Sequence, residues 1–94
     1  MKVRFTPRAF EDRERIFEYL AERSPTGAMS VMARFRAVID QVAEHPESGY
    51  PTDVGEVRVM FVGRYSYKIF YRIRIDAVEI LHIRHTSRRP NELG

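Results

Sequence analysis

The sequence predicts a single α+β domain over residues 1–94, with the element order βααβββ. Two observations predict it. A Thr-Pro and a Ser-Pro dipeptide each precede an apolar pattern of helical period, and three apolar, strand-like runs occupy the second half of the chain. Because consecutive strands with short turns are antiparallel, we expect an antiparallel helical hairpin packed on one face of a small, mainly antiparallel sheet.

The first half of the chain encodes one short strand and two helices. Residues Lys2–Phe5 alternate polar and apolar side chains, which predicts a strand. Thr6 then supplies a helix N-cap followed by proline, and the helix is predicted to end near Arg23. Ser24 begins a second helix in the same way, ending near Glu44 and carrying a continuous apolar stripe. The stripe consists of Ala28, Val31, Met32, Phe35, Val38, Ile39 and Val42.

The second half encodes a loop and three strands. Residues 45–56 contain two prolines, two glycines and small polar side chains, which predicts a loop. The strands are predicted at 57–62, 67–74 and 78–84. Along the middle strand, alternate residues share a face, and we expect one face to pack under the helices. That face holds Tyr67, Ile69, Tyr71 and Ile73, and the other holds Lys68, Phe70, Arg72 and Arg74.

Charge is distributed unevenly along the chain. Residues 57–89 hold eight Arg or Lys side chains against two acidic ones, whereas residues 1–56 hold eight against ten. A net charge of +3 therefore hides a basic second half, which suits an anionic target. The chain has no cysteine, no secretory apolar core and no apolar run of membrane-spanning length. We expect a cytoplasmic protein without disulfides or a membrane partner.

Several segments, in order along the chain, carry a resemblance to a known family. They are residues 16–25, 43–51, 57–58, 62–63 with Tyr65, 67–73 and 78–85. Taken together, the sequence resembles the ParE/RelE superfamily, the toxins of type II toxin–antitoxin modules, and specifically its ParE branch. The resemblance implies the βααβββ fold predicted above. It also implies a toxin that a cognate, ParD-like antitoxin neutralises in a heteromeric complex.

The resemblance implies two competing activities. ParE-type members inhibit DNA gyrase and have no hydrolytic site, whereas RelE-type members cut mRNA in the ribosomal A site. RelE-type members place lysines on the first strand after the helices and a Tyr or His near the C-terminus. Here those strand positions hold Val59 and Phe61, and the chain reads Pro-Asn-Glu-Leu-Gly after Arg89. We therefore expect a gyrase inhibitor, with growth arrest and plasmid stabilisation as its implied roles, rather than an enzyme.

Two alternatives stay open. In the first, the chain is a ribosome-dependent mRNA endoribonuclease in which His85 is the base and Lys68, Arg84 and Arg88 hold the phosphate. In the second, the chain is a module that only binds its antitoxin. The two assays that separate these hypotheses are gyrase supercoiling and primer extension on translated mRNA.

Two groups of binding residues are expected. The target-binding surface is basic and consists of Arg58, Lys68, Arg72, Arg84, His85, Arg88 and Arg89. The antitoxin-binding residues are Phe10, Arg13 and Phe17 on the first helix. Phe10 lies off the apolar stripe, and packing on the first strand is an equal alternative for it.

The remaining polar residues receive structural interpretations. His82 alternates with Ile80 and Arg84 and is interpreted as a sheet-face residue, and Arg74 is expected to pair with Glu79 across the last turn. The histidines share no spacing with an acidic residue that suits a metal, so neither a metal nor a cofactor is expected.

Overall fold

The computed structural model describes residues 1–86 and confirms the predicted α+β architecture. Its elements are β1 (Lys2–Phe5), α1 (Pro7–Ala21), α2 (Pro25–Glu44), β2 (Tyr50–Pro51), β3 (Arg58–Phe61), β4 (Tyr67–Ile73) and β5 (Ala77–His85). The strands form one sheet in the order β1-β5-β4-β3-β2. The β1–β5 pair is parallel and the other pairs are antiparallel. The two helices pack on this sheet, and we call the face away from them the open face.

Both helices begin with the predicted caps. Thr6 Oγ1 accepts the N–H of Ala9 at 3.1 Å, and Ser24 Oγ accepts the N–H of Gly27 at 3.0 Å. Each side chain satisfies a backbone donor that has no partner within the helix, and the proline that follows already has a helical φ. Within residues 1–86, neither helix combines the length and the apolar character needed to cross a membrane.

The core lies between the helices and the sheet. The predicted apolar stripe of α2 is buried except for Met32, which is half-buried. Its Phe35 meets Tyr67 of β4 edge to face, with ring centroids 5.3 Å apart. Tyr67, Ile69 and Tyr71 are buried and Ile73 lies against the core, so the predicted inner face of the middle strand is confirmed. Burial of each large apolar side chain contributes roughly 1.5–3 kcal/mol.

The predicted loop 45–56 contains structure that the sequence pattern does not reveal. Pro46–Ser48 forms a 3₁₀ turn, and Tyr50–Pro51 pairs with β3 as the short edge strand β2. The prediction of a loop throughout was therefore wrong at these residues. Two residues are too few to show an alternating pattern. A proline is tolerated in an edge strand because its missing N–H can lie on the outer side, where no neighbouring strand needs a donor.

The phenol of Tyr71 holds this loop against the sheet. Tyr71 is buried, and its hydroxyl donates to the carbonyl of Pro46 at 2.6 Å and accepts the N–H of Gly49 at 2.9 Å. Gly49 is required because a Cβ there would lie 2.5 Å from the Tyr71 hydroxyl oxygen. Arg58 adds a hydrogen bond to the Gly49 carbonyl at 2.8 Å. The loop is therefore held in place by hydrogen bonds between its backbone groups and the side chains of Arg58 on β3 and Tyr71 on β4.

A bulge in the last hairpin decides which side chains face outward. Phe70 pairs with His82 but Tyr71 pairs with Ile80, so Leu81 is an extra residue in β5. Ile80 is buried under the helices, whereas His82 shares the open face with Phe70. The sequence pattern placed Ile80 and His82 on one face, and this was wrong because the inserted residue reverses the alternation.

Candidate functional site

A buried carboxylate joins α1 to β5. Asp12 is 5% exposed, and its Oδ2 lies 2.6 Å from Nδ1 of His82 and accepts the N–H of Ile83 at 3.0 Å. Its Oδ1 accepts Nε–H of Arg8 at 3.2 Å. The pairing of β1 with β5 ends at Ile80, so the carboxylate takes a backbone donor that lies beyond the last residue of β1. Asp12 therefore replaces the missing neighbour strand at this point.

Asp12 is held in its ionised form. Burial raises the pKa of its carboxyl, but the hydrogen bonds from His82, Ile83 and Arg8 and the attraction of His82 lower it further. The net pKa of Asp12 lies below its ordinary value. Because an ionised carboxylate only accepts hydrogen bonds, the short contact requires a proton on Nδ1 of His82.

Asp12 is not among the site residues that the sequence predicts, although a signal for it exists. It follows Ala9 by three positions and precedes Ile16 by four, which places it on the buried stripe of α1. An acidic residue on a buried stripe needs a partner. The partner, His82, is 70 residues away in the chain, so its identity depends on the fold.

The open face carries a pocket of 510 Å³ over β3, β4 and β5. We call it the open-face pocket and define it by Val59, Phe61, Lys68, Phe70, His82 and Arg84. The Phe61 side chain is half-exposed. The Phe70 ring stacks on His82 with centroids 5.8 Å apart and an interplanar angle of 15°, and the ammonium group of Lys68 lies 5.6 Å from the Phe70 centroid. The pocket is therefore an aromatic surface with cations beside it.

The cations of the open face fall into two groups. Arg72 donates from Nε to Oε1 of Glu79 at 2.7 Å, and Arg74 and Arg4 lie within 3.7 Å of the same carboxylate. The hydrogen bond from Arg72 is the main reason why the pKa of Glu79 is lowered. The predicted contact of Arg74 with Glu79 is present, but Arg72 makes the shorter one. Three cations thus share one acidic residue near β1.

Lys68 and Arg84 form the second group. They stand directly opposite each other on β4 and β5, an arrangement in which like charges repel. Within residues 1–86, neither forms an ion pair with a carboxylate, and Nε of Arg84 is buried without a hydrogen-bond partner. The positive charge of this end of the open face is therefore uncompensated in the described part of the chain.

The structure brings together some of the predicted target-binding residues and separates others. Lys68, Arg72 and Arg84 lie on the open face. His85 stands opposite Tyr67 and contacts its ring with centroids 5.2 Å apart, so it lies on the helix side. Arg58 stands opposite Tyr71 on that same side. Arg88 and Arg89 lie outside the described residues.

The predicted ribonuclease set is divided in the same way. Lys68 and Arg84 share a face, but His85 faces the helices, and Arg88 lies outside the described residues. The histidine that shares the pocket with both cations is His82. Within residues 1–86, no three His, Asp or Glu side chains lie close enough together to bind a metal ion.

The predicted antitoxin-binding residues lie together at a second surface. A groove of 640 Å³ runs between α1, α2 and β1 and is lined by Arg13 and Phe17. The guanidinium of Arg13 lies 4.7 Å from the ring centroid of Phe5 and 5.4 Å from that of Phe10. Phe10 is 49% exposed and lies next to the groove, where its ring contacts the guanidinium of Arg13. The three predicted residues therefore form one contiguous, partly apolar surface.

Comparison with known proteins gives concordant matches over nearly the whole chain. A family model described as the ParE toxin of the type II toxin–antitoxin system parDE matches residues 3–90. A candidate toxin of Sinorhizobium fredii, Y4kP, is 34% identical over 88 residues, covering 94% of this chain and 91% of the relative. Toxin RelE3 of Caulobacter vibrioides is 32% identical over 89 residues, covering 93% and 96%.

A second Caulobacter vibrioides protein, toxin RelE2, is 31% identical over 87 residues, covering 93% of this chain and 97% of the relative. Among solved structures, a chain of the chromosomal ParDE system from P. aeruginosa has the same fold, with a TM-score of 0.80 at 20% identity. That match covers 93% of this chain and 97% of the solved one.

Replacement of Asp12 by Asn is expected to destabilise the fold by about 2 kcal/mol at neutral pH, because the amide is a weaker acceptor for two buried donors. The folded pKa of Asp12 is lowered, so its stabilisation is present above the unfolded pKa of about 3.9 and is lost as pH falls through the folded value. The difference between wild type and Asp12→Asn should therefore shrink below about pH 4. Urea denaturation between pH 7 and pH 3 measures it.

Asp40→Asn is the matched control for Asp12→Asn. Asp40 is exposed on α2 and lies 4.0 Å from Arg36, a pair that contributes at most about 0.5 kcal/mol. Equal stability of the wild type and Asp12→Asn at pH 7, or a difference that does not change with pH, would contradict the role of the buried carboxylate.

Proposed function

Because the chain belongs to the ParE toxin family of type II toxin–antitoxin systems, we propose that it inhibits DNA gyrase in the cytoplasm and thereby stops replication. Membership of this family implies an antitoxin partner. In the proposed cycle the toxin acts when its antitoxin is lost, and growth arrest is the cellular result. The chain inhibits by binding and performs no hydrolysis of its own.

The observation that carries this proposal is the apolar character of the open face on β3. Val59 and Phe61 point into the open-face pocket, at the strand positions where the resemblance implies lysines in RelE-type ribonucleases. Neither side chain can hold a phosphate or move a proton. A half-exposed phenylalanine is instead a favourable contact for another protein.

The second candidate function is mRNA cleavage on the ribosome, and one observation favours it. Two relatives that match over 93% of this chain carry the name RelE. In this alternative His85 is the base, with Lys68, Arg84 and Arg88 as phosphate ligands. The position of His85 on the helix side weighs against it, because a base must reach the same phosphodiester as the two cations.

For the antitoxin we propose the groove that Phe10, Arg13 and Phe17 border. It is apolar along its floor, and its rim mixes Arg13 and Arg36 with acidic residues of both helices. Such a groove suits an amphipathic segment that folds on binding, with apolar side chains inward and carboxylates beside the arginines.

Supercoiling assays with purified full-length chain and purified DNA gyrase test the main proposal. We expect inhibition of supercoiling that increases with toxin concentration and is relieved by the antitoxin. Primer extension on mRNA in a translating extract serves as the parallel assay, in which we expect no new cleavage sites. Codon-periodic cuts that disappear in His85→Ala, together with unaffected supercoiling, would establish the ribonuclease instead. Inactivity in both assays, with no growth arrest on expression, would leave antitoxin binding as the function.

Charge reversal in the groove tests the antitoxin surface. Arg13→Glu is expected to weaken antitoxin binding by about tenfold to a hundredfold, because it replaces a favourable contact with a repulsive one. The measurement is titration of antitoxin against labelled toxin, with growth rescue on co-expression as the cellular assay. Arg23→Glu is the control, since Arg23 is exposed near the end of α1 and stacks on Tyr19 outside the groove. Equal weakening by both variants, or by neither, rejects the groove as the docking site.

A further inference from the structure

The open-face pocket contains charge that the described residues do not neutralise. Lys68 and Arg84 repel each other across β4 and β5, whereas Arg72 on the same face is paired with Glu79. Nε of Arg84 is buried without a hydrogen-bond partner, and a buried donor in that state costs free energy until an acceptor arrives. An anionic oxygen at this point would satisfy the donor and remove the repulsion together.

The rest of the pocket is apolar and held in place. The Phe70 ring stacks on the His82 imidazole and lies near the Lys68 ammonium group, and the Asp12 carboxylate holds the imidazole through its Nδ1. Phe61 stands beside it, half-exposed. A pre-ordered aromatic surface of this kind binds an apolar side chain at a low entropic cost.

We propose that the open-face pocket binds a segment of a protein partner in which an aromatic or aliphatic side chain adjoins a carboxylate. The side chain packs on Phe61 and Phe70, and the carboxylate accepts hydrogen bonds from Arg84 with Lys68 beside it. This inference rests on the proposed function, because it assigns contact with the protein target to this one site.

A single acidic group fits the pocket better than a nucleic acid does. Its two cations lie together at one end, whereas Asp53 lies among the lining residues of the β2–β3 side. A polyanion that crossed the pocket would be attracted by the two cations at one end and repelled by Asp53 at the other. A protein segment with one carboxylate gains from the cations and uses the apolar surface for the rest of its contact.

Three small probes test the chemistry on the full-length chain by NMR titration. N-acetyl-L-phenylalanine carries a ring next to a carboxylate, N-acetyl-L-phenylalaninamide lacks the charge, and uridine 3′-monophosphate represents RNA. We expect the first probe to shift the signals of Phe61, Phe70 and the Arg84 Nε–H, and to bind about tenfold more tightly than the amide. Equal binding of acid and amide, tighter binding of the nucleotide, or shifts at other residues would overturn the inference.

Two variants locate the effect. Arg84→Gln should weaken binding of N-acetyl-L-phenylalanine about tenfold, while Arg34→Gln, an exposed arginine of α2 on the helix side, should leave it unchanged. Lys68→Gln gives a second test if Arg84→Gln loses its folded spectrum. Unchanged binding in every folded pocket variant overturns the site.

The supercoiling assay distinguishes failure of the open-face pocket as the target site from failure of gyrase inhibition as the function. Loss of gyrase inhibition in Arg84→Gln, with inhibition retained in Arg34→Gln, supports the pocket as the target site. Full inhibition by Arg84→Gln overturns this inference and leaves gyrase inhibition standing. Carboxylate binding by a wild-type chain that does not inhibit gyrase supports the pocket chemistry and rejects the proposed function.

Discussion

The contact of Asp12 with Ile83 and His82 is the interaction on which both faces of the molecule depend. β5 continues past the end of β1, and the buried carboxylate of α1 accepts the backbone donor that lies beyond the pairing. The helix is thereby fixed to the strand at one defined residue. Through His82 the same carboxylate also reaches the open face, because the imidazole that it holds stacks on Phe70. A single charge therefore supports the core on one side and an aromatic surface on the other.

The bulge at Leu81 then determines how charge is distributed. It turns His82 and Arg84 outward while Ile80 and Ile83 stay in the core. Toward β1 the cations of the open face are paired with Glu79, and toward β3 the open face is cationic and aromatic. The basic second half of the chain is thus less uniform than its composition suggests. Within residues 1–86, Arg72 and Arg74 are paired with Glu79, Arg58 holds a loop, and Lys68 and Arg84 form no ion pair with a carboxylate.

Local signals in the sequence predicted what depends on local chemistry. The two capped helices, the inner face of β4 and the antiparallel strands follow from capping residues and periodicity, and the structure confirms them. Such local signals could not predict three features: the edge strand β2, the bulge, and the separation of His85 from Lys68. Each of these depends on which strands become neighbours in the sheet. The pairing of Asp12 with His82 was also beyond these signals, although an acidic residue on a buried stripe was visible in the sequence.

The tautomer of His82 tests the central role of Asp12 most directly. Long-range ¹H–¹⁵N correlation spectra of the labelled chain, recorded at a pH where the ring is neutral, distinguish the two ring nitrogens, with the exposed His45 as an internal reference. We expect the proton of His82 on Nδ1, donated to the carboxylate, and a bare Nε2. A proton on Nε2 with a bare Nδ1 would contradict the proposed link between the helix, the strand and the open face.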